Sequence, residues 1–464
     1  MIADKKYKGG YLNDWFPLII AFVAAVVLMI VAISKWKVHP FLSIMGVSLL
    51  LALIAGIPMT TIPDVIGAGF SGTFSSIGIV IILGAFIGSV LEVTGAALKL
   101  ADMVIKLVGK KNPELAMELM GWVVSIPVFC DSGFVILDPI RRALVRRTGT
   151  SSVAMTVALS TGLYISHVFI PPTPGPIAAA NTLGIGDNLL LVMGLGVLCS
   201  IFPLAAGLVY AKFIGKKEKS ADELQESGEV VKSYEELVAE YGKLPSGLNS
   251  LAPLLVPVAL MALGTIGSMA GLKGFAMDLC TFLGKPVIAL AVGTILAIIQ
   301  LATAKKMDKF YNLTNDTLKT VGPILFVTAA GGVLGKVISS TTMVSFITEK
   351  APGLMAMGIF FPFLLAAILK TAQGSSTVAI TTTAGIMAPL MATMGLASPV
   401  MAALTVMAIG AGAMTVSHAN DSYFWVVTNF GKMTPQQGYK TQTVLTLVMG
   451  IASIIGIFLV SLFF

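Results

Sequence analysis

Two apolar segments of this chain are each broken by a Ser-His pair, at corresponding places in the two halves of the sequence. The first reads GLYISHVFIPPTPGPIAAAN and carries Ser166 and His167; the second reads GAMTVSHANDSYFWVV and carries Ser417 and His418. The chain has only three histidines, so two of them in matching positions indicate a duplicated feature. Polar breaks repeated inside apolar helices are typical of membrane transporters built from two structural repeats.

The composition also indicates a membrane protein. Apolar residues make up 56% of the 464 residues, charged residues make up 11%, and the mean hydropathy is +0.92, whereas a soluble domain carries about 25% charged residues. The net charge of +7 comes from basic residues that flank apolar segments, so it does not indicate nucleic-acid binding. The three cysteines are far apart, so we expect neither a disulfide framework nor a metal site.

Hydropathy predicts an all-α integral membrane protein with about ten spans, two of which are broken, at 151–183 and 400–431. Two further apolar stretches, about 113–141 and 353–394, bend at polar turns. We interpret both as re-entrant hairpins, because each half is too short or too weakly apolar to be a bilayer span on its own. The unbroken spans are expected at 16–33, 41–57, 76–95, 189–213, 251–271, 286–304, 321–342 and 442–464.

The distribution of Lys and Arg orients these spans. Basic residues follow the first, third and fifth spans and the first hairpin, whereas the loops at 58–75 and 184–188 carry none, so the positive-inside rule places those two loops outside. The halves 1–214 and 250–464 then have opposite orientations, which predicts an inverted-topology repeat. The charged segment 215–249 is expected to be a cytoplasmic linker, and both termini are expected outside.

The turns of the two hairpins carry residues that cap helices. A helix that ends inside the membrane exposes unpaired N–H groups and about +0.5 of an elementary charge at its N-terminus, so it attracts carboxylates. We expect Ser132 to cap a half-helix beginning at Gly133, and the run from Gln373 to Thr377 to do the same for the second hairpin. The alternative is that these hydroxyls only cap buried helix ends.

Both breaks add further polar groups. Prolines on either side of Thr173 and Gly175 prevent a continuous helix there, and Asn420 and Ser422 lie in the second break. The freed backbone and side-chain groups need a partner, which a ligand in a cavity would supply. The candidate substrate-binding residues are Ser132, Gly133, Thr173, Gly175, Gln373, Gly374, Ser375, Ser376, Thr377, Asn420 and Ser422.

Ionisable residues at membrane depth are candidates for coupling. A carboxylate at a helix centre costs roughly 3 kcal/mol on insertion scales, so Asp131 and Asp421 must be paired or protonated. His167 and His418 are further candidates, although a neutral imidazole can remain neutral throughout, which favours the two aspartates. Lys370, just before the second hairpin turn, is a candidate partner for an anionic substrate or for an internal carboxylate.

The motifs FCDSGFVILDP, TPGP, KTAQGSSTVAITTTAG and SHANDSYFW together resemble those of the gluconate:proton symporter family, the gluconate permeases of the ion-transporter superfamily. The similarity covers nearly the whole chain. The resemblance implies uptake of gluconate or a related small hydroxylated carboxylate, driven by a proton gradient without a cofactor. It also implies a multi-pass protein of the inner (plasma) membrane and an elevator-like movement against a scaffold that forms a homodimer.

Other functions remain open at this point. Some members of the family carry D-serine or short hydroxy acids, so the resemblance does not fix the substrate. Sodium-coupled carriers of the superfamily have Ser-Asn-Thr motifs at their hairpin turns, whereas this chain has CDSG and QGSS, which favours protons. An intramembrane hydrolase is disfavoured because neither G-x-S-x-G nor H-E-x-x-H occurs. A passive channel is a third alternative.

Overall fold

The computed structural model describes residues 15–100, 103, 112–224, 244–269, 272–341, 356–418 and 421–464, and within these residues the fold is helical and contains no strand. Short 3₁₀ segments lie at Gly186–Asn188, Met307–Lys309 and Ala388–Leu390, and a π-helical turn lies at Tyr439–Thr443. The helices are α1 (Trp15–Ser34), α2 (Pro40–Ile54), α3 (Ile62–Val93), α4 (Pro113–Val124), α5 (Cys130–Thr148), α6 (Ser152–Phe169), α7 (Pro174–Thr182), α8 (Leu189–Ile214), α9 (Ala221–Leu224), α10 (Gly247–Met269), α11 (Phe275–Gly284), α12 (Pro286–Thr303), α13 (Phe310–Ser339), α14 (Phe360–Gln373), α15 (Ser376–Met387), α16 (Pro399–Met414), α17 (Ser422–Phe430), α18 (Pro435–Gly438) and α19 (Val444–Ser461).

Helix pairs occupy both stretches that we interpreted as hairpins. α4 and α5 are separated by residues 125–129, and α14 and α15 by Gly374 and Ser375. The breaks follow a similar pattern, because α6 and α7 are separated by residues 170–173 and α16 and α17 by 415–421. The Ser-His pairs differ in position, however: Ser166 and His167 lie inside the last turn of α6, whereas Ser417 and His418 lie beyond the end of α16.

The prediction of an external loop over 58–75 is wrong, since α3 already begins at Ile62. Its first turns read IPDVIGAGFSGTFS, where glycine and polar residues give a weak hydropathy signal. The helix begins because Pro63 occupies its first turn, and it is stabilised by close packing on α13, where a Cβ on Gly69 would lie 2.7 Å from the Cα of Val333. α13 likewise begins before the predicted 321, and α11 was not predicted.

The middle of the molecule is formed by three helices from the broken and paired segments. Every residue of α6 is buried, as are the residues of α15 from Ala379 and those of α16 from Ala402. Their neighbours recur in the two halves: α4 packs on α6 and α6 on α8, while α14 packs on α16 and α16 on α19. Among the described residues, six helical stretches are long and apolar enough to cross a membrane, one of which contains α6: Ile62–Val93, Ser152–Thr182, Gly186–Ile214, Pro286–Thr303, Met307–Ser339 and Pro435–Ser461.

A buried ionic network fixes α5 against its neighbours. The Asp138 carboxylate accepts hydrogen bonds from Nε of Arg141 and Nε of Arg142, each at 2.7 Å. Arg141, which has no exposed surface, also donates to the Ser152 hydroxyl at 2.6 Å and to the Phe430 carbonyl at 3.2 Å. Because Phe430 is the last residue of α17, this guanidinium satisfies the C-terminal end of that helix and ties α5, α6 and α17 together.

Candidate substrate-binding site

One cavity of about 520 Å³ lies where the two helix pairs and the second break meet. The turn of the first pair, the turn of the second pair and the start of α17 all line it, together with α6 and the first half of α13. Its rim is exposed at His39, Thr320 and Pro323. Nine of the predicted site residues line this cavity: Asp131, Ser132, His167, Gly374, Ser375, Ser376, Thr377, Asp421 and Ser422.

The N-terminus of α5 faces the cavity without a side-chain cap. The helix begins at Cys130 with Phe129 as its N-cap residue, and the N-cap position supplies no side-chain hydrogen bond. The prediction that Ser132 caps a helix starting at Gly133 is therefore wrong. The Gly133 amide donates to the Phe129 carbonyl at 2.8 Å, which starts the helix three residues earlier and places Ser132 within the first turn. The unpaired amides of this turn remain available to an anion.

The N-terminus of α15 is capped. Gly374 has a φ of 91°, a left-handed conformation that ends α14 and that glycine adopts without strain. Ser375 follows as the N-cap residue, and its hydroxyl accepts a hydrogen bond from the Val378 amide at 3.3 Å. Ser376 and Thr377 occupy the first turn and also line the cavity, so this end of the helix presents hydroxyl groups next to its positive dipole.

Lys370 and Asp421 form a buried ion pair. The Lys370 ammonium lies 2.6 Å from Oδ2 of Asp421, and the two side chains have relative exposures of 0% and 6%. The ammonium also donates to the Gly374 carbonyl, while the same Asp421 oxygen accepts from the Ser417 hydroxyl at 2.5 Å. Oδ1 of Asp421 caps α17 by accepting from the Tyr423 amide at 3.1 Å. Lys370 therefore has an internal partner and lies behind the cavity wall.

Asp131 is placed differently. In the described part of the chain no Lys, Arg or His side chain forms an ion pair with it, and its side-chain contacts include the Ser422 hydroxyl at 3.4 Å and the Cys130 thiol at 3.6 Å. It lies in the first turn of α5, beside the uncapped amides. The two predicted coupling carboxylates thus differ, because Asp421 is held by a lysine and Asp131 is not.

The histidines also separate into two groups. His167 lines the cavity, its ring centroid lies 5.9 Å from that of Phe129, and its Nδ1 is buried without a hydrogen-bond partner. His418 does not line the cavity, and its Nε2 lies 2.9 Å from the Thr371 carbonyl. His39, which adjoins a loop proline and was not among the predicted site residues, lies on the cavity rim and accepts a hydrogen bond from the Phe41 amide.

Some predicted binding residues lie away from the cavity. Gly133 packs against Leu163, and Gly175 packs against Ile380. The Thr173 hydroxyl is buried and donates to the Ile170 carbonyl at 2.7 Å. These three residues support helix contacts rather than the cavity wall. Asn420 lies outside the described residues, as does the side chain of Gln373.

Two tyrosines, Tyr164 and Tyr423, also line the cavity, although neither was among the predicted site residues. The Tyr164 hydroxyl lies 3.4 Å from Oδ2 of Asp421, and its ring lies 5.8 Å from the Lys370 ammonium. The Tyr423 ring lies beside that of Tyr164, with ring centroids 4.9 Å apart and the ring planes tilted by 50°. Tyr423 lies in the SHANDSYFW motif and Tyr164 in the first Ser-His segment, but Tyr164 lies within an apolar helix and reaches the site only through tertiary packing.

A second, smaller cavity of about 330 Å³ lies further along α13. It is lined by small and hydroxyl residues of α3, α7, α13 and α15, with Lys336 as its cationic side chain. The larger cavity contacts α13 near Pro323 and the smaller one near Gly335, a separation of roughly 18 Å along the helix axis. α15 runs between the two cavities, with its first turn at the larger and its last at the smaller.

The described residues are helical, and a polar, charged cavity at interrupted helices is typical of membrane transporters. Residues 16–463 match the family model described as GntP family permease, and the chain belongs to that family. Among its relatives, the gluconate permease of Pseudomonas aeruginosa is 30% identical, covering 98% of this chain and 99% of the relative. The inner membrane permease YgbN of Escherichia coli (strain K12) is 32% identical, covering 92% of this chain and 95% of the relative.

The fold also has a solved counterpart. The YdaH transporter of Alcanivorax borkumensis superposes with a TM-score of 0.61 at 15% identity, covering 91% of this chain and 97% of the counterpart. Family membership confirms the predicted resemblance and the prediction of a transporter rather than an enzyme. Within the described residues, no group of three His, Cys, Asp or Glu side chains is arranged to hold a metal ion.

Proposed function

We propose that this chain is a secondary active transporter that takes up gluconate or a related small hydroxylated carboxylate together with a proton. The observation that carries the proposal is that both hairpin turns, with the start of α17, line one cavity. Three helix N-termini, those of α5, α15 and α17, therefore direct their positive ends toward the same space. The names of the gluconate permease relatives support the choice of substrate class.

The substrate carboxylate is assigned to the N-terminus of α5, because this is the helix end without a side-chain cap. The remaining carbons carry hydroxyls, which would meet Ser376 and Thr377 of α15, Ser422 of α17 and the Tyr164 hydroxyl. The cavity volume of about 520 Å³ lies within the range of about 300–1,000 Å³ that is usual for small-molecule sites. A polar wall of this kind favours a sugar acid over an apolar acid.

Asp131 is our candidate for the coupling residue. It occupies the same helical turn as the proposed carboxylate position and has no cationic partner in the described residues. Two negative charges about 6 Å apart at an effective dielectric constant of 20 repel by about 3 kcal/mol, which is roughly a 100-fold effect on binding. Substrate therefore binds when Asp131 is protonated, and the proton travels with it. The charge of Asp421 is already compensated by Lys370, so substrate binding depends less on the protonation of Asp421.

The proposed architecture is an inverted-topology repeat with two re-entrant hairpins, located in the inner (plasma) membrane. The recurrence of neighbours around α6 and α16 supports the repeat. The two cavities at either end of α15 support alternating access, with α3 and α13 as the scaffold against which the paired helices move like an elevator. With the basic residues inside, the larger cavity opens to the cytoplasm, both termini lie outside, and the scaffold forms a homodimer.

A counterflow screen tests the function. Purified protein in proteoliposomes is loaded with unlabelled gluconate, and entry of labelled sugar acids, hydroxy acids or D-amino acids is measured in sodium-free buffer and again with sodium. We expect the sugar acids to exchange fastest, without a need for sodium. Uptake that depends steeply on sodium at fixed pH would favour a sodium-coupled carrier instead. Downhill flux that never exceeds equilibrium under a pH gradient would indicate a passive channel.

A further inference from the structure

The helices α4 and α6 lie side by side in parallel, with a constant register. A Cβ on Gly162 of α6 would collide with the carbonyl oxygen of Glu118 in α4, and one turn later the Ser166 hydroxyl donates to the Trp122 carbonyl at 2.5 Å. Glu118 and Trp122 of α4 therefore lie level with Gly162 and Ser166 of α6. It follows that Glu118 lies one helical turn away from the level of Ser166 and His167. That distance is about 6 Å along the axis.

Glu118 is a buried carboxyl group in which one oxygen has no hydrogen-bond partner. Its relative exposure is 1%, and its Oε1 is buried with no hydrogen bond. In the part of the chain that the structure describes, no basic side chain forms an ion pair with it. Burying a carboxylate that has no cationic partner costs several kcal/mol even after relaxation, which favours the protonated form of Glu118 in the present conformation.

The charged and titratable groups around Glu118 show which parts of the protein lie on either side of it. On α8, which packs on both α4 and α6, Lys212 is exposed in the last turn. On α5, Asp138 and Arg141 are engaged with each other. On α6, His167 lies toward the cavity, and its Nδ1 is buried without a partner, like Oε1 of Glu118. Glu118 therefore lies between a cavity-lining imidazole and an exposed lysine.

We propose that Glu118 is a proton-binding site outside the substrate cavity, through which the coupling proton passes between His167 and the protein face that carries Lys212. The Glu118 carboxyl gives its proton to water at that face. The carboxylate is then reprotonated from the cavity by the His167 imidazolium, which returns to neutral imidazole. This inference rests on the proposed proton coupling.

The test compares Glu118→Gln with wild type in two assays on the same proteoliposomes. In counterflow at equal pH on both sides, the proton need not leave the carrier, so the variant should exchange gluconate within about two-fold of wild type. Under an imposed pH gradient, wild type should accumulate substrate up to about ten-fold per pH unit and proton, whereas the variant should reach no accumulation above equilibrium. Glu114→Gln, one turn earlier on the same helix, is the matched control and should behave like wild type.

The outcomes separate this inference from the proposed function. If wild type itself shows no accumulation under the pH gradient, proton coupling is wrong. If wild type accumulates and Glu118→Gln accumulates equally with the same pH profile, the inference about Glu118 is wrong. Infrared difference spectroscopy in the Asp131→Asn background, where the coupling carboxyl cannot contribute, gives a readout independent of transport: the protonated-carboxyl band of Glu118 should be present there and lost when Glu118→Gln is added. Retention of that band in the variant would also overturn the assignment.

Discussion

Replacing Lys370 by Met tests whether the buried ion pair holds the second hairpin turn against the second break. The substitution keeps an unbranched side chain of similar length but removes the ammonium, which lies 2.6 Å from Asp421 and donates to the Gly374 carbonyl. Asp421 then remains with its hydrogen bonds from Ser417 and the Tyr423 amide but without a cation. A buried charge is left uncompensated in the middle of the molecule.

The expected loss is large because neither partner is solvated. The relative exposures of 0% and 6% leave little water to replace the lysine, and removing one partner of a buried pair destabilises proteins by about 3–5 kcal/mol. Neutralising the other partner as well, in Lys370→Met with Asp421→Asn, removes the uncompensated charge. We expect the double variant to recover about 2 kcal/mol relative to Lys370→Met alone.

The assay is the free energy of unfolding in mixed micelles during a detergent titration, followed by tryptophan fluorescence. Lys319→Met is the control, because Lys319 pairs with Asp316 at 3.3 Å with both side chains more than two-thirds exposed, and such surface pairs contribute about 0–1 kcal/mol. A loss below about 1 kcal/mol for Lys370→Met, or no recovery in the double variant, would refute the account of this pair.

Three further perturbations follow from the site and its packing. Asp131→Asn should retain gluconate exchange but lose accumulation driven by a pH gradient, and wild-type accumulation in this variant would shift the coupling role to Asp421 or the histidines. Ser376→Ala should weaken substrate binding by about 1 kcal/mol, which is a roughly five-fold rise in the half-saturating gluconate concentration in counterflow. An unchanged half-saturating concentration would place this hydroxyl outside the site. Gly162→Ala should destabilise the protein by about 1–3 kcal/mol, because the added methyl group would collide with the Glu118 carbonyl. Gly46→Ala is the control and should not destabilise the protein, because Gly46 has open space around it. Equal thermal stabilities of the two variants would contradict the tight packing of α4 on α6.

The sequence carried enough information to locate the interruptions of the helices. Prolines at 171–176, the Gly-Ser-Ser turn at 374–376 and the charged Asp131 stand out against apolar surroundings, and local rules for capping and helix breaking act within a few residues. These features placed both helix pairs and both breaks close to where the structure has them. The start of α3 could not be found in this way, because its packing on α13 depends on small residues rather than on hydropathy.

The contacts that build the site depend on tertiary structure. Lys370 and Asp421 are 51 positions apart, and Tyr164 reaches Asp421 across 257 positions, so no local pattern pairs them. Arg141 looked like one of several loop charges after the hairpin, whereas the fold buries it completely against Asp138 and the end of α17. Glu118 was not predicted either, since a glutamate in an amphipathic stretch gives no sign that its neighbours leave it unpaired.

The most direct measurement records proton and gluconate fluxes together in one preparation of proteoliposomes. A pH-sensitive dye inside the vesicles reports proton entry while labelled gluconate is counted, in sodium-free buffer, for wild type and Asp131→Asn. Our account predicts that gluconate added outside drives proton entry into wild-type vesicles, and that Asp131→Asn exchanges gluconate without moving protons. Gluconate uptake by wild type without proton entry, or proton entry that persists unchanged in Asp131→Asn, would contradict it.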